Sequence, residues 1–198
     1  MGLELYKAVR DRIGSGSLLL FTGGDGRVGR VIEAIACSRW HHVGIVIVLN
    51  GHVYILESTG GNKFKGKKWG VQLRLLSERL ESLEGGEQCW VRLPDREVTA
   101  EEQTIMALWW NQMAGTPYQH DLRVLLETAK PGIDRGRYNH NRDKAVFCSE
   151  AVTLLFIVLG WLVEDVIPET VTPGDFSSEG IGVLPLKGIG FGPEVRIG

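Results

Sequence analysis

The chain has 198 residues, of which 43% are hydrophobic, enough to bury a sizeable core; this predicts a single domain over residues 1–198. The formal net charge of −2 gives no global attraction for nucleic acid or an anionic membrane surface. Three cysteines without framework spacing fit reduced thiols rather than disulfides. The first twenty residues lack the charged start, apolar centre and cleavage site of a secretory signal, so the chain reads as cytoplasmic.

Residues 3–13 carry apolar side chains at helical spacing, and Gly14-Ser15-Gly16 ends that segment. Residues 17–21 are a short strand candidate. The glycine-rich stretch Thr22 to Gly26 follows it but has neither the Walker Lys-Ser/Thr pair nor dinucleotide spacing, so it reads as a loop. Residues 28–36 form a short amphipathic helical pattern.

Residues 41–59 hold the clearest signal. Two runs rich in β-branched residues, 41–49 and 52–59, flank Asn50-Gly51, the strongest short hairpin signature. A two-residue turn sets the register: Leu49 faces His52, Val46 faces Ile55, Gly44 faces Glu57 and His42 faces Thr59. His42 and Glu57 then share one face as diagonal neighbours, within roughly 7–8 Å at the backbone, while His41 and His52 point to the other. Both faces are otherwise apolar, so the hairpin is interior. An imidazole and a carboxylate buried there need partners, and each can serve the other.

The basic, glycine-rich residues 60–70 read as a solvated loop. Residues 71–76 and 87–93 are strand candidates, with a short helix over 75–83 between them and Cys89 in a pleated, structural position. Thr99 caps a helix reaching about Ala114, with Ile105, Leu108, Trp109 and Gln112 at helical spacing, and Gly115-Thr116-Pro117 breaks it. A helical pattern over 121–130 and a basic loop over 131–144 lead to Cys148. From there an apolar run of about a dozen residues, too short to span a bilayer, stops at Gly160. Ser149 and Glu150 suit the first turn of a buried helix, which puts Cys148 at its N-terminus. Free N–H groups and the positive end of the dipole favour a thiolate there. A turn at 171–176 and a glycine-rich tail of extended segments complete the chain.

These pieces together resemble the circularly permuted NlpC-type papain-like cysteine hydrolases, with the YiiX-like branch the best match. The resemblance is carried by Ser38-x-x-x-His42-Val43-Gly44-Ile45, Glu57 at the end of the next strand, Gly115-Thr116-Pro117-Tyr118-x-x-Asp121, Phe147-Cys148-Ser149-Glu150 and Thr172-Pro173-Gly174-Asp175. Their order, histidine strand first and cysteine helix last, is the reverse of papain. The resemblance implies an α+β fold, an antiparallel sheet packed against helices. It makes Cys148 the nucleophile, His42 the base and Glu57 the group that orients the histidine. Chemistry on an acyl group needs those three parts: a thiolate, an imidazole to protonate the leaving group, and a third group to fix the tautomer. The expected activity is hydrolysis of an amide or related acyl bond in a peptide, amide or acyl-bearing substrate, through a covalent acyl-enzyme and without a cofactor. Tyr118, Asp121 and Trp40 are candidates for the cleft wall.

Three alternatives stand beside this reading. The chain could act on lipid acyl groups as the lecithin retinol acyltransferase-like relatives do, or serve as a binding module without turnover. His42, Glu57 and Cys148 are also zinc-binding residue types, although the tight C-x-x-C pairs of structural zinc sites are absent, and no metal is expected.

Overall fold

The structure is a computed structural model that describes residues 2–24, 27–35, 38–60, 70–119, 145–163, 165–179 and 184–198. In chain order its elements are α1 (Gly2–Val9) with a 3₁₀ turn at Arg10–Arg12, β1 (Leu18–Thr22), α2 (Arg27–Ile35), β2 (Trp40–Leu49) and β3 (His52–Thr59). Next come β4 (Gly70–Leu75), α3 (Leu76–Glu81), β5 (Gln88–Arg92), α4 (Ala100–Met113) and α5 (Cys148–Val158). Two 3₁₀ turns, Pro168–Thr170 and Pro173–Phe176, precede a two-residue strand, β6 (Val195–Arg196). The expected helix over 121–130 and most of the two basic loops lie outside the described residues.

The strands form one antiparallel sheet in the order β4-β3-β2-β1-β5-β6, with the hairpin away from both edges. Asn50 and Gly51 have φ of 51° and 77°, the paired positive values that a tight two-residue hairpin turn uses. The register follows: Leu49↔His52, Val46↔Ile55 and Ile45↔Leu56 are opposed. That last pair ends the ladder, so the pairs expected beyond it, Gly44 with Glu57 and His42 with Thr59, are not part of it.

Alternation along the strands sorts the core into two faces. Leu18, Leu20, Val43, Ile45, Ile47 and Leu56 pack with Met106 and Trp109 of α4 and with Cys148, Val152 and Leu155 of α5. Leu19, Phe21, Val46 and Ile55 pack on the opposite face with Tyr6 of α1 and Leu76 and Leu80 of α3. The fold is therefore α+β, with helices on both faces of an antiparallel sheet.

One element departs from the sequence reading: on α4, Met106 is buried beside the expected Trp109, while Leu108 is exposed. Within the extended tail, Val195 and Arg196 pair with Val91 and Trp90 of β5. α4 starts as expected: Thr99 Oγ1 accepts the Glu102 N–H at 3.1 Å and the Glu102 carboxylate accepts the Thr99 N–H at 2.8 Å. Among the described residues no helix is long and apolar enough to cross a membrane.

Candidate active site

α5 begins at Cys148, where the carboxylate of Glu150 turns back to accept the N–H of Phe147 at 3.2 Å. Glu150 satisfies one of the helix's free N–H groups in this way. The residues before the helix are held by backbone. Val146 bridges Tyr118, donating to Pro117 O at 2.9 Å and accepting from the Gln119 N–H at 3.2 Å. Ser58 Oγ of β3 donates to the same Val146 carbonyl at 2.8 Å. So where the β2–β3 ladder has ended, β3 bonds to the strap leading into α5.

His42 and Glu57 meet at that level. His42 Nε2 lies 2.7 Å from Glu57 Oε2, and both residues are buried. This leaves Nδ1 for the Cys148 sulfur. Burial opposes a charge on the ring, but the charge and hydrogen bond of Cys148, then those of Glu57, outweigh it and raise His42 from 6.5 to about 10. The three residues singled out in the sequence therefore come together. Cys148 leads the helix on one face of the sheet, while Glu57 belongs by alternation with Ile55 on the other. His42 joins them past the end of the ladder.

A bulge shapes this corner. β1 and β2 pair Phe21 with His42 but Thr22 with Trp40, so His41 is one residue extra. Bulges re-aim side chains next to functional sites. Here the bulge returns Trp40 to the α5 face and turns His41 toward Glu33 (3.3 Å from Nδ1) and Glu87 (3.5 Å from Nε2). Simple alternation placed His41 away from the His42–Glu57 face. Its ring instead reaches a carboxylate that belongs to the Glu57 network.

That network is the part sequence reasoning missed. Arg79 of α3 sets Nε 3.4 Å from Glu57 Oε2, Arg74 of β4 sets Nη1 3.6 Å from Oε1, and Gln72 donates to Oε1 at 3.4 Å. Burial pushes Glu57 up, but Arg79 first, then His42 and Arg74, bring its carboxyl down from 4.5 to about 2. The signal available was the polar pair Gln72 and Arg74, two apart in an apolar strand; Gln72 lies directly opposite Glu57.

The expected cleft residues fare differently. Tyr118 is half-buried, packs edge-on against Phe147 with centroids 6.0 Å apart, and has its phenol pushed up by burial and then by Cys148. Trp40 has no exposed surface, so it belongs to the core rather than to an open wall. Its ring lies under the Arg39 guanidinium, 4.4 Å from the centroid, and its buried indole N–H has no hydrogen-bond partner among the described residues. Asp121 lies outside the described residues. Among the described residues no group of three or more His, Cys, Asp or Glu side chains is arranged to hold a metal ion.

An antiparallel sheet carrying a buried cysteine, histidine and glutamate at the mouth of a helix defines an α+β protein with a YiiX-like fold. The crystal structure of the metalloprotein YiiX from Escherichia coli O157:H7, a DUF1105 protein, superposes with a TM-score of 0.55 over 94% of this chain and 97% of that one, at 17% identity. No protein-family model and no curated protein matches the chain by sequence.

Proposed function

We propose that this chain is a cysteine hydrolase of the circularly permuted, papain-like NlpC type, cleaving an amide or related acyl bond. The observation that carries the reading is the buried imidazole held between a carboxylate at 2.7 Å and the sulfur at a helix N-terminus. In this reading Cys148 Sγ is a thiolate and His42 an imidazolium donating Nε2–H to Glu57. The sulfur attacks the acyl carbon, and the carbonyl electron pair moves onto oxygen, which the backbone N–H of Cys148 meets. The tetrahedral adduct collapses, the C–N bond breaks, and the leaving amine takes the proton from His42 Nδ1. Water then adds to the thioester, giving its proton to the now neutral His42. Collapse releases the carboxylic acid and restores the thiolate–imidazolium pair.

No metal takes part in these steps, although the YiiX neighbour is a metalloprotein by its title. The donor set around Glu57 does not suit a cation, since its oxygens already face His42, two arginines and Gln72.

Incubation with p-nitrophenyl acetate followed by intact and peptide mass spectrometry tests the reading. The expected result is an acetyl adduct on Cys148 that is absent in Cys148→Ser. Equal release of p-nitrophenol by both proteins, with no adduct on Cys148, contradicts it.

A further inference from the structure

Glu57 is buried at 1% exposure, and burial alone drives a carboxylate toward its neutral form. A neutral Glu57 gives an imidazolium no counter-charge. The guanidinium of Arg79 opposes that tendency from α3, with Nε 3.4 Å from Oε2, the oxygen that also meets His42. Arg79 is itself fixed on two further sides. Glu87 takes both of its terminal nitrogens, Nη2 at 3.1 Å and Nη1 at 3.4 Å. The guanidinium also lies 4.3 Å from the centroid of the Phe21 ring, and that ring is 5.2 Å from the ring of His42. One guanidinium thus reaches the imidazole through a carboxylate and through an aromatic ring.

We infer that Arg79 is a positioning residue for the proposed triad: clamped by Glu87 and stacked on Phe21, it holds the Glu57 carboxylate as an anion aligned on His42. This rests on the hydrolase reading and extends it to a residue that touches neither the Cys148 sulfur nor substrate. The charged groups facing Glu57 are His42 from β2, Arg74 from β4 and Arg79 from α3; Arg79 also faces Glu87 and the thiol of Cys89. Arg74 stands farther off, 3.6 Å from the oxygen that does not meet His42.

The test is a double-mutant cycle read by the rate of Cys148 alkylation with iodoacetamide across pH, quantified by peptide mass spectrometry and normalised to the folded fraction. Arg79→Met is expected to lower the rate at mildly acidic pH by about tenfold, the effect of one unit of pKa. It should also move the acid limb to higher pH, because Glu57 then protonates more readily. Arg79→Lys keeps the charge and restores most of the rate. In a Glu57→Gln background, Arg79→Met should change the rate by no more than about twofold, since the charged route to His42 runs through Glu57 and is already cut, and the Phe21 contact carries packing alone. The same fold-loss in both backgrounds, or an acid limb that does not move, overturns the proposal. Should Arg79→Met alone fail to fold, the double variant against Glu57→Gln decides: equal rates support the role, and a further tenfold loss overturns it. A wild-type Cys148 that reacts no faster than Cys89 removes the hydrolase reading and this role with it. A reactive Cys148 with additive Arg79 effects removes the role alone.

Discussion

At the scale of residues, His42 and Glu57 are displaced in opposite directions, and each displacement has a stability consequence. His42 rises from 6.5 to about 10, so its contribution is full below pH 6.5 and is lost as pH climbs through about 10. Glu57 falls from 4.5 to about 2, so its contribution is full above pH 4.5 and is lost as pH falls through about 2. Thermal melts should therefore be highest between those limits, and His42→Ala should flatten the alkaline decline. An alkaline decline of equal steepness in His42→Ala would place its origin elsewhere. Cys148→Ser keeps the shape of the side chain but removes the sulfur that helps raise His42, so the His42 titration followed by NMR should move to lower pH. Among variants, Glu57→Gln can still accept a bond from the ring but offers no charge. Its activity loss should be smaller than that of His42→Ala, with a shifted pH profile. His41→Ala touches Glu33 and Glu87 rather than the sulfur, and should leave Cys148 reactivity within about twofold. The proposed triad was legible because two of its members follow from parity about Asn50-Gly51 and the third from a helix start. Arg79 was not. Its place depends on how α3 docks on the sheet, and no local pattern encodes that.

At the scale of elements, the two loop motifs that carry the family resemblance work as scaffolding around the site. Gly115-Thr116-Pro117-Tyr118 adds to the edge of β4: Val71 N–H donates to Thr116 O at 2.8 Å and Gly115 N–H to Val71 O at 3.0 Å. A Cβ on Gly70, which has φ +118°, would lie 1.9 Å from Thr116 O. Gly70→Ala should therefore cost roughly 1–3 kcal/mol and loosen the strap before α5, measurable as a lower melting temperature together with slower Cys148 alkylation. A variant as stable and reactive as wild type would show that the strap does not depend on this contact. Among the described residues Val146 O has two donors, Ser58 Oγ and the Gln119 N–H, and Ser58→Ala removes one, so it should cost only about 1 kcal/mol. Thr172-Pro173-Gly174-Asp175 closes on itself, since the Thr172 N–H and hydroxyl both donate to Asp175 Oδ2 at 2.8 Å. It leaves no room at Gly174, where a Cβ would come within 2.7 Å of Ser38, just before β2. The sequence marked the first loop as a helix break and the second as a turn. Their targets, β4 and the start of β2, are long-range contacts that turn chemistry does not specify.

At the scale of the whole molecule, the sheet separates two apolar layers, and the candidate site lies where its central ladder stops. Runs of β-branched residues flanking Asn50-Gly51 made the hairpin readable, and its apolar faces foretold its interior position. The order of the outer strands was not readable. β5 reaches β1 after five intervening elements, and β6 arrives from the last residues of the chain. The bulge at His41 was also hidden, because one extra residue in a strand leaves no compositional mark. That bulge corrects the expected direction of His41 while leaving His42 on Glu57.

The buried thiol of Cys89, pushed up by its burial, provides an internal standard for the claim that Cys148 is the activated nucleophile. The most direct measurement is the distribution of iodoacetamide among the cysteines near neutral pH, in the wild type and in His42→Ala, read by peptide mass spectrometry. Labelling concentrated on Cys148 in the wild type and largely lost from it in His42→Ala is the predicted result. Faster labelling of Cys37 or Cys89, or a Cys148 that reacts equally well without His42, would contradict the account.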